Sequence, residues 1–519
     1  MTIHVEVIET SSLGDRSYLA HDGHVAVVVD PQRDIDRVLA LAGRLGVRVT
    51  HVVETHLHND YVSGGLALAR VSGAAYLVGG AEEVSFDRVP VADGERIAVS
   101  ERMWLDVVST PGHTFHHLSY VLAGSGGPEG VFTGGSLLFG GTGRTDLLGA
   151  EHARTLARHQ HASARRLSDL LPDGARLWPT HGFGSFCAAT PSGASASTIG
   201  REKDVNAVLR MEADDFVTHL LEGLDAYPAY YAHMGARNAA GAEPIDLTPA
   251  RPADSAELLA RLRAGEWVVD LRSRKAFADR HLAGTLSFGL DGPMATWLGW
   301  LVPWGTPLTL LGESAEQVAA AQRELARIGI DRPAAASTGT VEQWAGHDPN
   351  LIAGLTTATF ADLAAARANE PAPARAGKPT GARAGEPTGD RAGEPASARA
   401  GEPAPARAGE PTGDRAGEPA PAHAGEPAGG PAVLDVRMGN EWRAGHVAGA
   451  VHIPLPELPG RLAEVPEGTV WVHCGSGYRA AAAASLLARS GRQVVHIDDA
   501  YSNAADAGLP ITTSDEKPA

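Results

Sequence analysis

An eight-residue repeat constrains the fold of this chain most, because it separates the regions that can build hydrophobic cores. Between about residues 371 and 431, Arg-Ala-Gly-Glu-Pro or a close variant recurs with almost no large apolar side chain. Such a segment cannot bury enough surface to offset its ordering entropy. Proline stops a helix and glycine prevents a stiff polyproline rod, so we predict a disordered, semi-extended tether, with a partner-binding repeat as the alternative. The register of the repeat is marked by Arg375, Arg383, Arg391, Arg399, Arg407, Arg415 and His423.

The sequence outside the repeat has the alternating pattern of α/β domains, and its length is too great for one core. Near the N-terminus, β-branched runs such as VAVVVD and THVVETH flank IDRVLALAGRLG, whose apolar residues recur at three- and four-residue steps. Two later units, around WVVDLRS and AVLDVRM, look like copies of each other. We predict domains at 1–245, 246–350 and 351–519, with the repeat inserted in the last.

Composition narrows the classes of partner. The net charge of -18 argues against nucleic acid and anionic membranes, and no stretch reaches the roughly 18 apolar residues of a membrane helix. The N-terminus has no basic start followed by an apolar run, so we expect a cytoplasmic protein with no membrane partner. Cys187 and Cys474 are expected to be free thiols. Small-molecule chemistry is favoured, and homo-oligomer formation is left open.

Five metal-ligand side chains occur in turns that follow predicted strands. His56, His58 and Asp60 alternate in ETHLHNDYVSG, His113 lies in TPGHTFHH, and His181 lies in PTHG. Imidazole and carboxylate groups gathered from several strand-end loops give a rigid, open site for zinc or non-haem iron. A lone histidine in such a turn is more often structural, but five together predict a metal site.

HLHND, PGH and PTHG, in this order and spacing, resemble the metallo-β-lactamase superfamily over residues 1–245. ETHLHNDYVSG, FTGGSLLFGGTGRTDL and STIGREK are similar to its persulfide dioxygenase branch. The resemblance implies an αββα sandwich and one iron, held by two histidines and an aspartate, that oxidises a thiol persulfide with oxygen to sulfite. Position by position, the histidines are His56 and His113, and the aspartate falls at Gly135.

Two departures from that pattern alter the expected metal chemistry. Gly135 cannot donate a ligand, and Tyr61 stands where the superfamily commonly has a histidine, so a second metal would retain only Asp60 and His181. A three-histidine site of His56, His58 and His113 remains, for which Fe(II) is the expected metal and zinc the alternative. Arg144 in GRTD matches the branch, where it would pair with a substrate carboxylate or form a salt bridge with Asp146.

The third unit contains HCGSGYR, which resembles the C-x-x-G-x-R loop of rhodaneses. A tight loop that opens a helix stabilises a thiolate and its persulfide, so we expect Cys474 to be the nucleophile and Arg479 to hold the anion. A buried, inert cysteine is the alternative. The loop residues expected to bind substrate are Gly475, Ser476, Gly477 and Tyr478, and the upstream residues that match the family are Asp435, Arg437, Glu441 and His446.

The second unit resembles the same family through Asp270, Arg272 and His281, but its loop lacks a thiol. Aligning GTPLTLLGES with GTVWVHCGSG puts Leu311 opposite Cys474 and Glu316 opposite Arg479. We therefore predict an α/β multidomain protein, a metallo-β-lactamase sandwich followed by two rhodanese-like domains of which the first is silent.

These features predict persulfide oxidation at the metal, coupled to sulfur transfer through Cys474, with a low-molecular-weight thiol persulfide or thiosulfate as substrate. One alternative is a sulfur-relay or persulfide-sensing scaffold with a degenerate metal domain, and Gly135 favours it. The other is zinc-dependent thioester hydrolysis. Cys187 is expected to be a small buried hydrophobe, although it follows His181 by only six residues.

Overall fold

The computed structural model describes residues 3–189, 194–368 and 431–513. The predicted tether, with its octad repeat, lies outside the described residues. None of the described helices is long and apolar enough to cross a membrane.

The N-terminal domain is a sandwich of two six-stranded sheets with helices on both outer faces. One apolar core, which includes Tyr18, Val29 and Phe132, lies between the sheets, and further cores lie beneath the helices. The strands of the first sheet, in spatial order, are His4–Thr10, Asp15–His21, Val25–Val29, Arg48–Val53, Ala75–Gly79 and Val89–Val91. Those of the second are Arg96–Ala98, Met103–Ser109, Leu118–Gly124, Gly127–Gly134, Arg176–Pro179 and Ser197–Thr198. The helices are Asp36–Leu45, Gly65–Ser72, Ala150–Leu170, Ile199–Val205, Ala207–Arg210, Ala213–Glu222 and Tyr231–Ala240. This arrangement confirms the predicted αββα fold.

The middle unit is a four-stranded parallel sheet with helices around it. Its strands, in spatial order, are Leu286–Ser287, Trp267–Asp270, Leu308–Gly312 and Ala335–Thr338. A small antiparallel pair is formed by His281–Leu282 and Ile352–Ala353. The helices are Ser255–Arg263, Arg274–Asp279, Met294–Leu301, Ala315–Arg327, Val341–Trp344 and the 3₁₀ turn Pro349–Leu351.

The third unit repeats the same strand order and adds a fifth strand at the edge. Its parallel strands, in spatial order, are Val451–His452, Ala432–Asp435, Thr469–His473, Gln493–Ile497 and Thr356–Ala358. An antiparallel pair is formed by His446–Val447 and Ile511–Thr512. The helices are Phe360–Ala368, Gly439–Ala444, Tyr478–Arg489 and Asn503–Asp506, with 3₁₀ turns at Leu458–Gly460 and Leu462–Glu464. Residues 356–368 and 431–513 thus share one sheet and core, from both sides of the repeat.

The three units pack against one another through a continuous apolar cluster. Tyr230 of the sandwich, Trp297 of the middle unit and Leu434 of the third unit all belong to it. Around this cluster, Arg327 forms a largely buried ion pair with Asp34, with a shortest N–O distance of 2.7 Å. The middle unit therefore contacts both the sandwich and the third unit, which also contact each other through Asn440 and Asp225.

Candidate functional site

Four predicted metal ligands lie at one end of the sandwich, each in a loop that follows a strand. His56 and His58 follow the strand Arg48–Val53, His113 follows Met103–Ser109, and His181 follows Arg176–Pro179. All four rings are almost completely buried, with centroid separations of 4.2 Å for His56–His58 and 5.3 Å for His113–His181. The fold therefore brings together residues that lie up to 125 positions apart.

One ligand nitrogen from each of His56, His113 and His181 lies within 4.8 Å of the others. The Nδ1 of each ring has a partner on the outside of the cluster. His113 Nδ1 donates to the carbonyl of Arg144 at 2.7 Å, and His181 Nδ1 lies 2.9 Å from the carboxylate of Asp15. His56 Nδ1 lies 2.9 Å from the hydroxyl of Thr55, which itself donates to Asp30. Such outer partners fix which nitrogen faces inward, as they do around metal-bound histidines.

The inward nitrogens are incompletely satisfied by protein groups. Nε2 of His181 lies 3.4 Å from Nε2 of His56, and Nε2 of His113 is buried with no hydrogen-bond partner among the described residues. A proton shared between His56 and His181 would leave His113 unsatisfied, whereas one cation would meet all three nitrogens. Neutral nitrogen donors of this kind suit a divalent transition metal, so the residues fit the implied metal.

His58 does not point into this cluster through its Nε2. That atom lies 3.0 Å from the hydroxyl of Tyr61 and 3.3 Å from the carboxylates of Asp30 and Glu54. Its buried Nδ1 has no hydrogen-bond partner among the described residues. A second ligand group of His58, Asp60 and His181 is therefore available, but the two groups share His181 and are not two complete, independent sites.

The surrounding carboxylates attract positive charge to this region. Burial lowers the pKa of His181, but Asp60 and Asp15 outweigh it and raise the pKa to about 10. Burial and the neighbouring charge of His181 lower the pKa of His113 to about 3. Without a metal, His181 therefore holds a proton at neutral pH, which a bound cation would have to displace, whereas His113 stays a neutral donor.

Gly135 lies directly against His113, and because glycine has no side chain the His113 ring can occupy the adjacent space. A β-carbon at position 135 would lie 2.6 Å from Cγ of His113, and one at Gly143 would lie 2.7 Å from its Nδ1. The two glycines form a slot around the ring. The absence of a side chain at position 135 therefore has a steric role, in addition to removing the carboxylate that the resemblance implies.

The structure does not support a substrate-binding role for Arg144. Its guanidinium is buried and donates to both carboxylate oxygens of Asp146, at 2.7 and 2.8 Å, and to the carbonyls of Phe186 and Asp225. It also stacks on the ring of Tyr227 at 4.5 Å. Every nitrogen of this guanidinium already has an acceptor, so the group is not free to bind a substrate carboxylate. The alternative expectation, a salt bridge with Asp146, is the one observed.

Cys474 lies at the end of the strand Thr469–His473, at the start of a loop that leads into the helix Tyr478–Arg489. The backbone N–H of Gly477 donates to Sγ of Cys474 at 3.2 Å, in a left-handed conformation with φ of 93°. The carbonyl of Gly477 lies 2.9 Å from Nε2 of His496, which anchors the loop from the next strand. The loop is therefore wrapped around the sulfur.

A carboxylate orients the arginine guanidinium at the end of this loop. Arg479 makes a two-pronged ion pair with Glu441, with one N–O distance of 2.6 Å. Ser476 is exposed, while Tyr478 is buried and donates its hydroxyl to the carbonyl of Gly289 in the middle unit. Tyr478 therefore joins two units through its side chain, while Cys474 and Gly477 are buried and Ser476 is the exposed residue of the loop.

The Asp-x-Arg motif of each copy has a structural role. Asp435 and Arg437 form a buried pair at 2.6 Å, and Asp270 and Arg272 form the same pair in the middle unit. His446 Nδ1 lies 3.1 Å from the carbonyl of Trp442, and His281 Nδ1 lies 2.8 Å from the carbonyl of Phe277. In each copy these residues stabilise the turn that follows the strand containing the aspartate.

The strand register corrects the alignment of the two copies. Asp270 pairs with Leu311, as Asp435 pairs with His473, so the residue equivalent to Cys474 is Gly312 and not Leu311. The loop of the middle unit is one residue shorter, because its helix is capped by Ser314. Glu316 is the second residue of that helix, as Arg479 is of its own. Glycine carries no thiol, so the prediction that the first copy is silent stands on a different residue.

Cys187 is fully buried in the apolar cluster, and burial raises the pKa of its thiol well above the ordinary value. Tyr231 interacts with its thiol, and Tyr230 and Met234 belong to the same cluster. This environment is that of a small buried hydrophobe.

Sequence patterns missed several residues that shape these sites. Asp15 lies in an edge-proximal strand with no neighbouring motif, yet it contacts His181. Trp297 lies in the apolar helix Met294–Leu301 and contacts the guanidinium of Arg479 at 5.4 Å. His117, the second histidine of the HH pair after TPGHTF, accepts a hydrogen bond from Gly135 N at 3.1 Å. Only His117 had a visible signal, its place beside a metal motif.

The chain is similar to known proteins at both ends. The profile of the rhodanese-like domain matches residues 420–507. The human mitochondrial persulfide dioxygenase is 28% identical over 210 residues, which cover 40% of this chain and 74% of that protein. A hydroxyacylglutathione hydrolase of Nostoc sp. is 29% identical over 187 residues, which cover 34% and 69%.

Among solved structures, a metallo-β-lactamase from Staphylococcus aureus aligns with a TM-score of 0.59 at 27% identity. The alignment covers 66% of this chain and 100% of that one, a share larger than the N-terminal sandwich alone. The predicted resemblances are confirmed: this chain has a metallo-β-lactamase fold in its N-terminal region and a rhodanese-like domain at its C-terminal end.

Proposed function

We propose that this chain, which joins a metallo-β-lactamase fold to a C-terminal rhodanese-like domain, oxidises a low-molecular-weight thiol persulfide and transfers sulfane sulfur through Cys474. The similarity to persulfide dioxygenases and the rhodanese-like domain support a function in persulfide and sulfur metabolism. The observation that carries the proposal is the convergence of one nitrogen from each of His56, His113 and His181, of which Nε2 of His113 is buried with no hydrogen-bond partner among the described residues.

His56, His113 and His181 would hold the metal, with His58 and Asp60 beside them. Iron bound there would supply oxygen activation, with zinc as the alternative metal. In the overall reaction a persulfide, oxygen and water give a thiol and sulfite, so that the sulfane sulfur loses four electrons and the oxygen molecule gains four. The chain contributes burial, which keeps the three imidazoles fixed and limits access of water.

The Cys474 thiolate would attack the outer sulfur of a persulfide. A new bond forms between Sγ and that sulfur, the original sulfur–sulfur bond breaks, and the carrier leaves as a thiolate. The N–H of Gly477 already donates to Sγ, and Arg479 supplies positive charge beside the loop. These groups stabilise the anion on Cys474 before and after transfer.

Two other functions have an observation in their favour. A sulfur-relay or persulfide-sensing scaffold is favoured by Gly135, which removes the carboxylate implied for iron. Zinc-dependent thioester hydrolysis is favoured by the similarity to hydroxyacylglutathione hydrolases. Oxygen uptake distinguishes both from the proposal.

The test measures bound iron and zinc, oxygen uptake with glutathione persulfide, and hydrolysis of a glutathione thioester. We expect the parent chain to bind iron and take up oxygen, His113→Ala to lose both, and Cys474→Ser to lose sulfur transfer only. Transfer without iron or oxygen uptake would favour the scaffold. Zinc with thioester hydrolysis would favour the hydrolase.

A further inference from the structure

A cavity of about 700 Å³ lies where all three units meet, over the Cys474 loop. Ser476, Tyr478 and Arg479 of the loop form one wall, together with Trp297 of the middle unit, whereas Cys474 itself is buried and does not line the cavity. The sandwich adds Phe186, from the same loop that carries His181. The cavity is therefore built from parts of the chain that no single unit contains.

The size of the cavity suits an organic molecule. Ligand sites for small molecules occupy roughly 300–1,000 Å³, far more than an inorganic sulfur anion fills. Its floor is aromatic, because Phe186 packs edge-on against Trp297 with centroids 5.6 Å apart, and the guanidinium of Arg479 lies over the same indole. Such a surface suits the carbon skeleton of a thiol.

The charges in the wall favour a ligand with a hydrogen-bond donor. Three carboxylates line the cavity, of which Glu441 is paired with Arg479 and Asp291 with Arg274. Glu324 forms no salt bridge among the described residues, and its buried Oε2 has no hydrogen-bond partner there. Burial raises the pKa of Glu324, which the charge of Arg327 only partly opposes, so an ammonium group beside it would favour its charged form. In that form the carboxylate repels a dianion such as thiosulfate.

We propose that this three-unit cavity binds the organic carrier of the persulfide that reacts with Cys474, with Trp297 against the carrier and Glu324 paired to its ammonium group. This inference rests on the proposed sulfur transfer and names the class of substrate, an amine-bearing low-molecular-weight persulfide. The silent middle unit then supplies specificity to the active third unit. In this transfer, Sγ of Cys474 accepts the outer sulfur of the persulfide, and the carrier leaves as its thiolate.

The experiment follows sulfur transfer to cyanide by the full chain without oxygen, so that only the Cys474 reaction contributes. Three donors are compared: glutathione persulfide, which carries an ammonium group, 3-mercaptopropionate persulfide, which does not, and thiosulfate. For Glu324→Gln we expect KM to rise at least fivefold for glutathione persulfide only, with KM for thiosulfate unchanged or lower. For Trp297→Ala we expect KM to rise for both organic donors and not for thiosulfate.

Glu316→Gln is the matched control, because Glu316 lies on the same helix outside this cavity. Glu324→Gln is nearly isosteric and keeps the inference testable if Trp297→Ala fails to fold. Equal changes for all donors, or no change in Glu324→Gln, would overturn the inference and leave the proposed function standing. A parent chain without transfer, or full transfer in Cys474→Ser, would overturn the proposed function and this inference with it.

Discussion

Adding a side chain at Gly135 should weaken metal binding, even when that side chain is the aspartate that the resemblance implies. The β-carbon would lie 2.6 Å from Cγ and 2.9 Å from Nε2 of His113. The ring cannot retreat freely, because Gly143 closes the other side and the Arg144 carbonyl holds Nδ1 at 2.7 Å. His113 must therefore move or lose that hydrogen bond.

The magnitude follows from overpacking in a buried site. Inserting one carbon where no space exists costs about 1–3 kcal/mol. If metal binding must restore the His113 position, the same energy appears as a loss of affinity of roughly 5- to 150-fold, since about 1.4 kcal/mol is tenfold. Gly135→Ala isolates this steric effect, and Gly135→Asp adds a carboxylate to it.

Metal affinity would be measured by anaerobic competition with a chelator, and stability by chemical denaturation of the metal-free protein. Gly126→Ala is the control, because a β-carbon there meets no atom within 4 Å. We expect both Gly135 variants to bind iron more weakly than the parent, with Gly126→Ala unchanged. Tighter iron binding by Gly135→Asp, with His113 still required, would show that the position is a lost ligand and that the steric reasoning is wrong.

Three further results are expected. Arg479→Lys, which cannot form the two-pronged pair with its carboxylate, should lower kcat/KM for sulfur transfer about tenfold, measured with thiosulfate and cyanide. Burial raises the pKa of Asp435, but His473 and Arg437 outweigh it and lower the pKa below 3.8, so the charged form stabilises the domain above that pH. This stability is lost as pH falls through the lower folded value, and acid unfolding of Asp435→Asn should show less of that dependence. Arg144→Ala should lower the free energy of unfolding by about 1–3 kcal/mol, measured by denaturation, because it leaves the partly buried carboxylate of Asp146 and the carbonyls of Phe186 and Asp225 without their donor.

The sequence was sufficient to predict the fold and the grouping of the histidine motifs, because each motif follows a run of residues that forms a strand. It was not sufficient for the direction of each ring. The outer partner of His181 is Asp15, which lies 166 residues earlier in the chain. From the sequence, Arg144 looked available to bind a substrate carboxylate. Two of its acceptors are the backbone carbonyls of Phe186 and Asp225, which no sequence motif connects to it.

The alignment of the two rhodanese-like copies failed by one residue for a physical reason. Matching Gly305 with Gly468 assumes that the strands Leu308–Gly312 and Thr469–His473 begin after turns of equal length. The register of these strands is instead set by their pairing with the strands that contain Asp270 and Asp435. The loop after the strand is correspondingly shorter in the first copy. Register is a property of the whole sheet, so a local match of glycines could not determine it.

The middle unit has the same sheet and buried Asp–Arg pair as the third unit, but its loop has Gly312 where the third unit has Cys474. The middle unit also contacts the third unit directly. Arg274 forms an ion pair at 2.6 Å with Asp498, directly behind Gly477, and Ser485 accepts a hydrogen bond from the backbone of Ser287. These contacts join the middle unit to the Cys474 loop and to the helix that follows it. If the cavity binds the persulfide carrier as proposed, a domain without a thiol in its loop would help to select the persulfide that reacts with Cys474.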